Sequence, residues 1–223
     1  MFLKKLLVSV YLIFFIILYS FTQIKVACVG DSITFGFTIL NHEEKSYPAR
    51  LAQLLGKGWG VENFGVIGAT MLKNGDIPYW KQNAFIDSKN FNPDVVIIML
   101  GTNDTKPQNW KFKNEYITDY TVMINEFRAL PSKPYIFICL PVPAYTKIWG
   151  ISDSIIRIEI IPMIKLIGKR NNVPIIDLYQ PLNKHAEWFT DKIHPNAAGA
   201  KEMAKVIYNV LLKIKKKIEK RKS

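Results

Sequence analysis

Ser32 stands where a short apolar, β-branched run, Ile24-Lys25-Val26-Ala27-Cys28-Val29, breaks off at Gly30-Asp31. A serine hydroxyl is a poor nucleophile until a neighbouring base takes its proton. Imidazole titrates near neutral pH and is the natural base, and His194 is the histidine with the right company. Asp191 lies three residues earlier on the same loop, close enough to reach the second ring nitrogen and fix its tautomer. The chemistry these three offer is nucleophilic attack on a carbonyl with relay of one proton.

Two further stretches belong with them. Gly65-Val66-Ile67-Gly68-Ala69-Thr70 is a glycine-punctuated loop after a second strand-like run, and Gly101-Thr102-Asn103-Asp104 follows the continuous apolar run Val95 to Leu100. Glycine at 68 permits close approach of backbone to a substrate. Asn103 supplies a donor that aspartate could not. Asp31 and Asp104 read as structural carboxylates that accept loop N–H bonds.

The elements that must hold these residues follow from the pattern. Strand runs are expected at Ile24 to Val29, Val61 to Val66, Val95 to Leu100, Tyr135 to Leu140 and Val173 to Leu178. Helices are expected at Ser46 to Gly56 (with Ser46 as cap, Pro48 in the first turn and Gly56 as stop), around Tyr79 to Ser88, and at Glu115 to Leu130. Two more are expected at Ser152 to Arg170, kinked or split by Pro162, and at Asn196 to about Lys217. This alternation, without internal repeat or linker, implies a three-layer α/β/α sandwich on a five-stranded parallel sheet, order 2-1-3-4-5, flavodoxin-like. Ligands bind beyond the carboxyl ends of such strands, where Ser32, Gly68 and Asn103 converge and to which the Asp191–His194 loop must return.

In this order the residues resemble the SGNH, or GDSL, hydrolase superfamily. Its blocks match Gly30-Asp31-Ser32-Ile33-Thr34, Asn63 to Thr70, Gly101-Thr102-Asn103-Asp104 and Asp191-Lys192-Ile193-His194-Pro195, which together span nearly the whole chain after its leader. The resemblance implies a Ser32–His194–Asp191 triad. It also implies an oxyanion hole from the Ser32 and Gly68 backbone N–H groups and the Asn103 side chain. Within the superfamily the look is that of secreted bacterial carbohydrate O-acetylesterases, including sialate O-acetylesterase-like enzymes. That implies short-chain ester hydrolysis on a glycan through an acyl-enzyme. A lipid-directed esterase and a non-catalytic glycan-binding protein are the other readings. Trp110, Tyr145 and Trp149 lie on loops over the expected catalytic edge, with Trp80 nearby, and could stack on sugar rings.

Composition sets the outer bounds. The chain has 223 residues, 49% hydrophobic and 22% charged, which suits one ordered domain. We expect it to span 23–212. The Gly-x-Ser-x-Gly elbow of α/β-hydrolases and the Gly-x-x-x-x-Gly-Lys-Ser/Thr phosphate loop do not occur. His42, His185 and His194 are far apart and no metal-ligand spacing is present, so neither a metal nor an organic cofactor is expected. The formal net charge is +12, and the stretch from Lys213 to Ser223 holds seven basic residues against Glu219. It reads as a solvated helix end, and with no interleaving of basic and aromatic residues nucleic acid is not an expected partner. Lys4-Lys5 followed by the apolar Leu6 to Phe21 resembles a signal peptide, residues 1–22, cleaved near Thr22. Export without a retained anchor is the expectation. Cys28 and Cys139 fall on strands separated by a third, too far apart for a disulfide, and should be free buried thiols.

Overall fold

A computed structural model describes residues 23–222; the leader expected at residues 1–22 lies outside them. Five parallel strands form one sheet: β1 (Ile24–Gly30), β2 (Trp59–Gly65), β3 (Val95–Met99), β4 (Tyr135–Leu140) and β5 (Ile175–Asp177), in the order β2-β1-β3-β4-β5. The central strand β3 is buried along its whole length, as an unbroken Val-Val-Ile-Ile-Met run requires.

Helices cover both faces. Helix α1 (Ser32–Phe35) is a single turn, followed by α2 (His42–Lys45) and α3 (Tyr47–Leu55). Then come α4 (Asn83–Asn90), the short α5 (Pro107–Trp110), α6 (Tyr116–Arg128), α7 (Asp153–Ile155), α8 (Ile161–Asn171), α9 (Tyr179–Leu182) and α10 (Ala197–Lys222). The period-2 alternation of side chains sorts the core into two layers. Val26, Cys28, Ile97 and Cys139 face Leu51 of α3 and Met203, Ile207 and Leu211 of α10. Ala27, Val29, Ile98 and Ile138 face Tyr120, Phe127, Ile164 and Ile167 on the other side. Cys28 and Cys139 are free and buried, and burial pushes both thiols far above their ordinary range.

Three elements differ from the sequence reading. The segment Ser152 to Arg170 becomes α7, a π turn at Ile156–Ile160 and α8. Ile161 N–H donates to the Ile156 carbonyl, five residues back, so one extra residue is absorbed just before Pro162, which has no N–H to offer. The fifth strand shortens to three residues because Pro174 cannot donate into a ladder. Helix α10 runs on to Lys222, through the boundary expected at 212. Ile218 is only 2% exposed, and Arg221 lies over the Tyr135 ring, 3.9 Å from its centroid. The helix end is therefore docked rather than a free tail.

Candidate active site

The carboxyl ends of β1 and β3 and the loops after β2 and β5 meet at one edge. Asp31 caps α1, its Oδ1 accepting the Ile33 N–H at 2.9 Å, so Ser32 becomes the first residue of a helical turn. The Ser32 N–H is then one of the orphan donors at a helix start.

Ser32 Oγ is 2.9 Å from His194 Nε2, and His194 Nδ1 is 2.6 Å from Asp191 Oδ2. Ser32 and His194 are both nearly buried. An ionised carboxylate only accepts, so the proton of the neutral ring sits on Nδ1, and Nε2 is left to accept from the serine O–H. Lys192, at φ 68°, folds the chain back between Asp191 and His194. As a result Asp191 Oδ1 also accepts the Ile193 and His194 backbone N–H groups, at 2.9 and 2.7 Å. Partial burial works to raise the Asp191 carboxyl, but the His194 backbone and ring hydrogen bonds and the Ile193 N–H outweigh it and hold the group below its ordinary value. Asp191 therefore stays an anion beside the imidazole.

Gly68 (φ 80°) and Asn103 face the serine across a pocket of about 200 Å³, lined also by Phe37, Ile67, Lys106, Trp149, Ile151 and His194. Asn103 Nδ2 donates to the Ala69 carbonyl at 3.2 Å, which ties the two oxyanion-side loops together. Asp104 reinforces the same seam by accepting the Met71 and Leu72 N–H groups at 3.0 and 2.8 Å. Buried Asn109 donates to the Asn103 carbonyl and to Asp76 Oδ1, both at 2.9 Å, and Lys106 pairs with Asp76 at 3.5 Å. An ester carbonyl held here would have a nucleophile, a base and a set of N–H donors around one carbon.

Of the three aromatics expected at the substrate, Trp149 lines this pocket. It is 57% exposed, in a left-handed conformation (φ 54°), with its ring centroid 5.8 Å from that of His194. Trp110 does not reach the pocket: it is buried in the core edge-on to Tyr116, because α5 turns its apolar side inward. Tyr145 is also a brace rather than a pocket wall. Its hydroxyl donates to the Leu182 carbonyl at 2.6 Å and its N–H to the Lys192 carbonyl at 2.7 Å, linking the loop after β4 to the His194 loop. Trp80 donates to the Met71 carbonyl, away from the pocket. The sequence reading missed Phe37, whose ring meets His194 edge-on at 4.9 Å. Its signal was position, five residues after the serine on the same loop. Asn109 carried no signal at all.

Comparisons with known proteins give the family and the fold. Residues 28–202 match the GDSL-like lipase/acylhydrolase family. The chain is 43% identical over 202 residues to an acetylxylan esterase of Xylanibacter ruminicola, covering 82% of this chain and 42% of that protein, so it spans less than half the length of this relative. In fold it is similar to Est24, a carbohydrate acetylesterase from Sinorhizobium meliloti, with TM-score 0.71 and 18% identity over 86% of this chain and all of that one. It is also similar to the M. smegmatis aryl esterase, with TM-score 0.68 and 19% identity over 85% and 98%. At those identities the two structures speak for the fold alone. On the family match, which takes in Ser32 and His194, this chain belongs to the GDSL-like lipase/acylhydrolase family, a family of SGNH-type ester hydrolases.

Proposed function

We propose that the protein is a serine esterase that removes O-acetyl groups from a carbohydrate. The observation that carries this is the Ser32–His194–Asp191 hydrogen-bond chain opening onto a pocket of about 200 Å³, smaller than the usual 300–1,000 Å³ of ligand sites. It has room for a short acyl group.

Ser32 Oγ attacks the ester carbon as His194 Nε2 takes its proton. Asp191 holds the imidazolium through Nδ1–H. The negative oxygen of the tetrahedral intermediate is met by the Ser32 and Gly68 backbone N–H groups and the Asn103 amide, each typically worth about 3–4 kcal/mol at the transition state. On collapse the proton passes from His194 to the departing sugar oxygen, leaving acetyl on Ser32. A water molecule, deprotonated by the same imidazole, then releases acetate and restores the hydroxyl. Trp149 offers an exposed indole face beside His194 for the sugar that carries the ester. The identity to an acetylxylan esterase makes acetylated xylan the first glycan to try. Export, with the leader removed near Thr22, belongs to the same reading.

The test is acetate release from acetylated xylan and other acetylated glycans. Ser32→Ala should lower turnover at least about 10³-fold with the fold intact by circular dichroism. Retained activity in that variant would remove Ser32 from the mechanism. A preference for acyl chains of eight carbons or more would favour a lipid substrate.

A further inference from the structure

In a parallel α/β sheet the helices run back against the strands, so every helix that feeds a strand ends at the pole where strands begin. In this chain that pole collects the positive charge. Helix α10 starts beside His194 and runs its full length to the opposite pole, where Arg221 reaches the Lys133 carbonyl ahead of β4. Ile214 and Ile218, one turn apart, pack against the core and fix the rotation of the helix end. Lys213, Lys215, Lys216, Lys217, Lys220 and Arg221 are left exposed. Exposed Lys57, Arg128, Lys133, Lys169 and Arg170 lie on the last turns and loops of the same pole. The acids there are Asp87, Asp94, Glu126 and Glu219. Glu126 is paired with Lys89 and Glu219 with Lys215, and Asp94 accepts the Lys25 N–H. Basic residues outnumber acidic ones at this pole by more than two to one, although the catalytic edge carries charges of both signs.

We propose that this pole is a docking surface for an anionic lipid bilayer. Charge complementarity gives the sign of the partner. The attachment of the remaining chain gives its kind: residues 1–22 join at Gln23, and Gln23 donates to the Lys57 carbonyl, on this same pole. The apolar Leu6 to Phe21 and its Lys4-Lys5 flank thus attach beside the cationic surface. While the leader is attached, a hydrophobic segment and a polybasic patch act on the membrane together; once it is removed the patch alone supplies a weaker, reversible attraction to anionic lipid. β1 alone, at seven residues, separates this pole from Ser32 by about 20 Å. A docked molecule therefore presents its pocket away from the lipid, toward a soluble polymer.

The test compares the full chain with a variant in which Lys213, Lys215, Lys216, Lys217 and Lys220 are replaced by glutamine. Co-sedimentation is measured with phosphatidylcholine vesicles, with and without about 30% phosphatidylglycerol, at low and high salt. The full chain should partition onto the anionic vesicles about tenfold more than onto neutral ones at low salt, and the preference should vanish at high salt. The variant should lose most of that preference and hydrolyse a soluble aryl acetate at the unchanged rate. Equal partition onto both vesicle types would overturn the proposal, as would an unchanged preference in the variant. So would tighter binding to duplex DNA than to the anionic vesicles at equal charge and the same salt, which would mark the pole as a polyanion site of another kind.

Discussion

At the scale of single residues, the site rests on carboxylates in contrasting settings. Asp191 is held ionised by the hydrogen bonds it accepts. Asp31 and Asp104, which the sequence suggests are structural, do accept loop N–H bonds, and burial pushes each to about 7 from an ordinary value of 3.8. For Asp31 the burial cost exceeds the help of the Ile33 N–H, and the Asp104 charge adds to it. Its Oδ2 is buried without a hydrogen-bond partner. The folded chain therefore holds these protons more tightly than the unfolded chain. Stability is full below the ordinary carboxylate value and is lost as pH rises to about 7, by up to about 1.4 kcal/mol per pH unit for each carboxyl. Urea unfolding between pH 5 and pH 7.5 should show this decline, and Asp31→Asn should remove about half of the slope. An identical slope in the variant would assign it elsewhere. Ser32, His194, Asp191, Gly68 and Asn103 were legible in the sequence because each ends a strand or sits in a loop the sheet must bring to one edge. Trp110 and Tyr145 were not, because a loop aromatic gives no sign of which way it faces.

At the scale of elements, the nucleophile is set by how closely β2 approaches α1. A methyl group added at Gly65 would come within 2.2 Å of the Phe35 backbone nitrogen and 2.8 Å of the Thr34 carbonyl carbon. Both are main-chain atoms that cannot turn aside. Gly65→Ala should therefore cost about 1–3 kcal/mol of stability and, by lifting α1 off the strand, lower kcat as well. Thermal melting beside steady-state kinetics checks both effects; a variant with unaltered melting and turnover would show that the contact is slack. Strands and long helices were readable from apolar periodicity, since that periodicity is what buries them. The π turn before Pro162 and the three-residue β5 escaped because each depends on a proline's missing N–H, whose repair is a local choice among several.

At the scale of the molecule, the single α/β sandwich and its strand order follow from alternation and right-handed crossovers, and both were legible. The packing of the helix end beyond residue 212 was not, because a lysine-rich helix end has the composition of a solvated one. Two isoleucines four residues apart decide otherwise. Deleting residues 213–223 removes Ile218 from the core and Ile214 from its margin, and should destabilise the chain by about 2–4 kcal/mol. Denaturant titration of the truncated chain measures it, and an unchanged midpoint would return those residues to the tail.

Both thiols sit in the same layer, beneath α3 and α10, on different strands. Neither can form a bridge, and burial keeps both out of the reactive thiolate form. A bulky thiol reagent added to the native protein therefore has nothing to label until that layer lifts. Cys28 and Cys139 make the chain its own clock for opening: the rate of colour release reports how often that layer comes open, without any introduced probe.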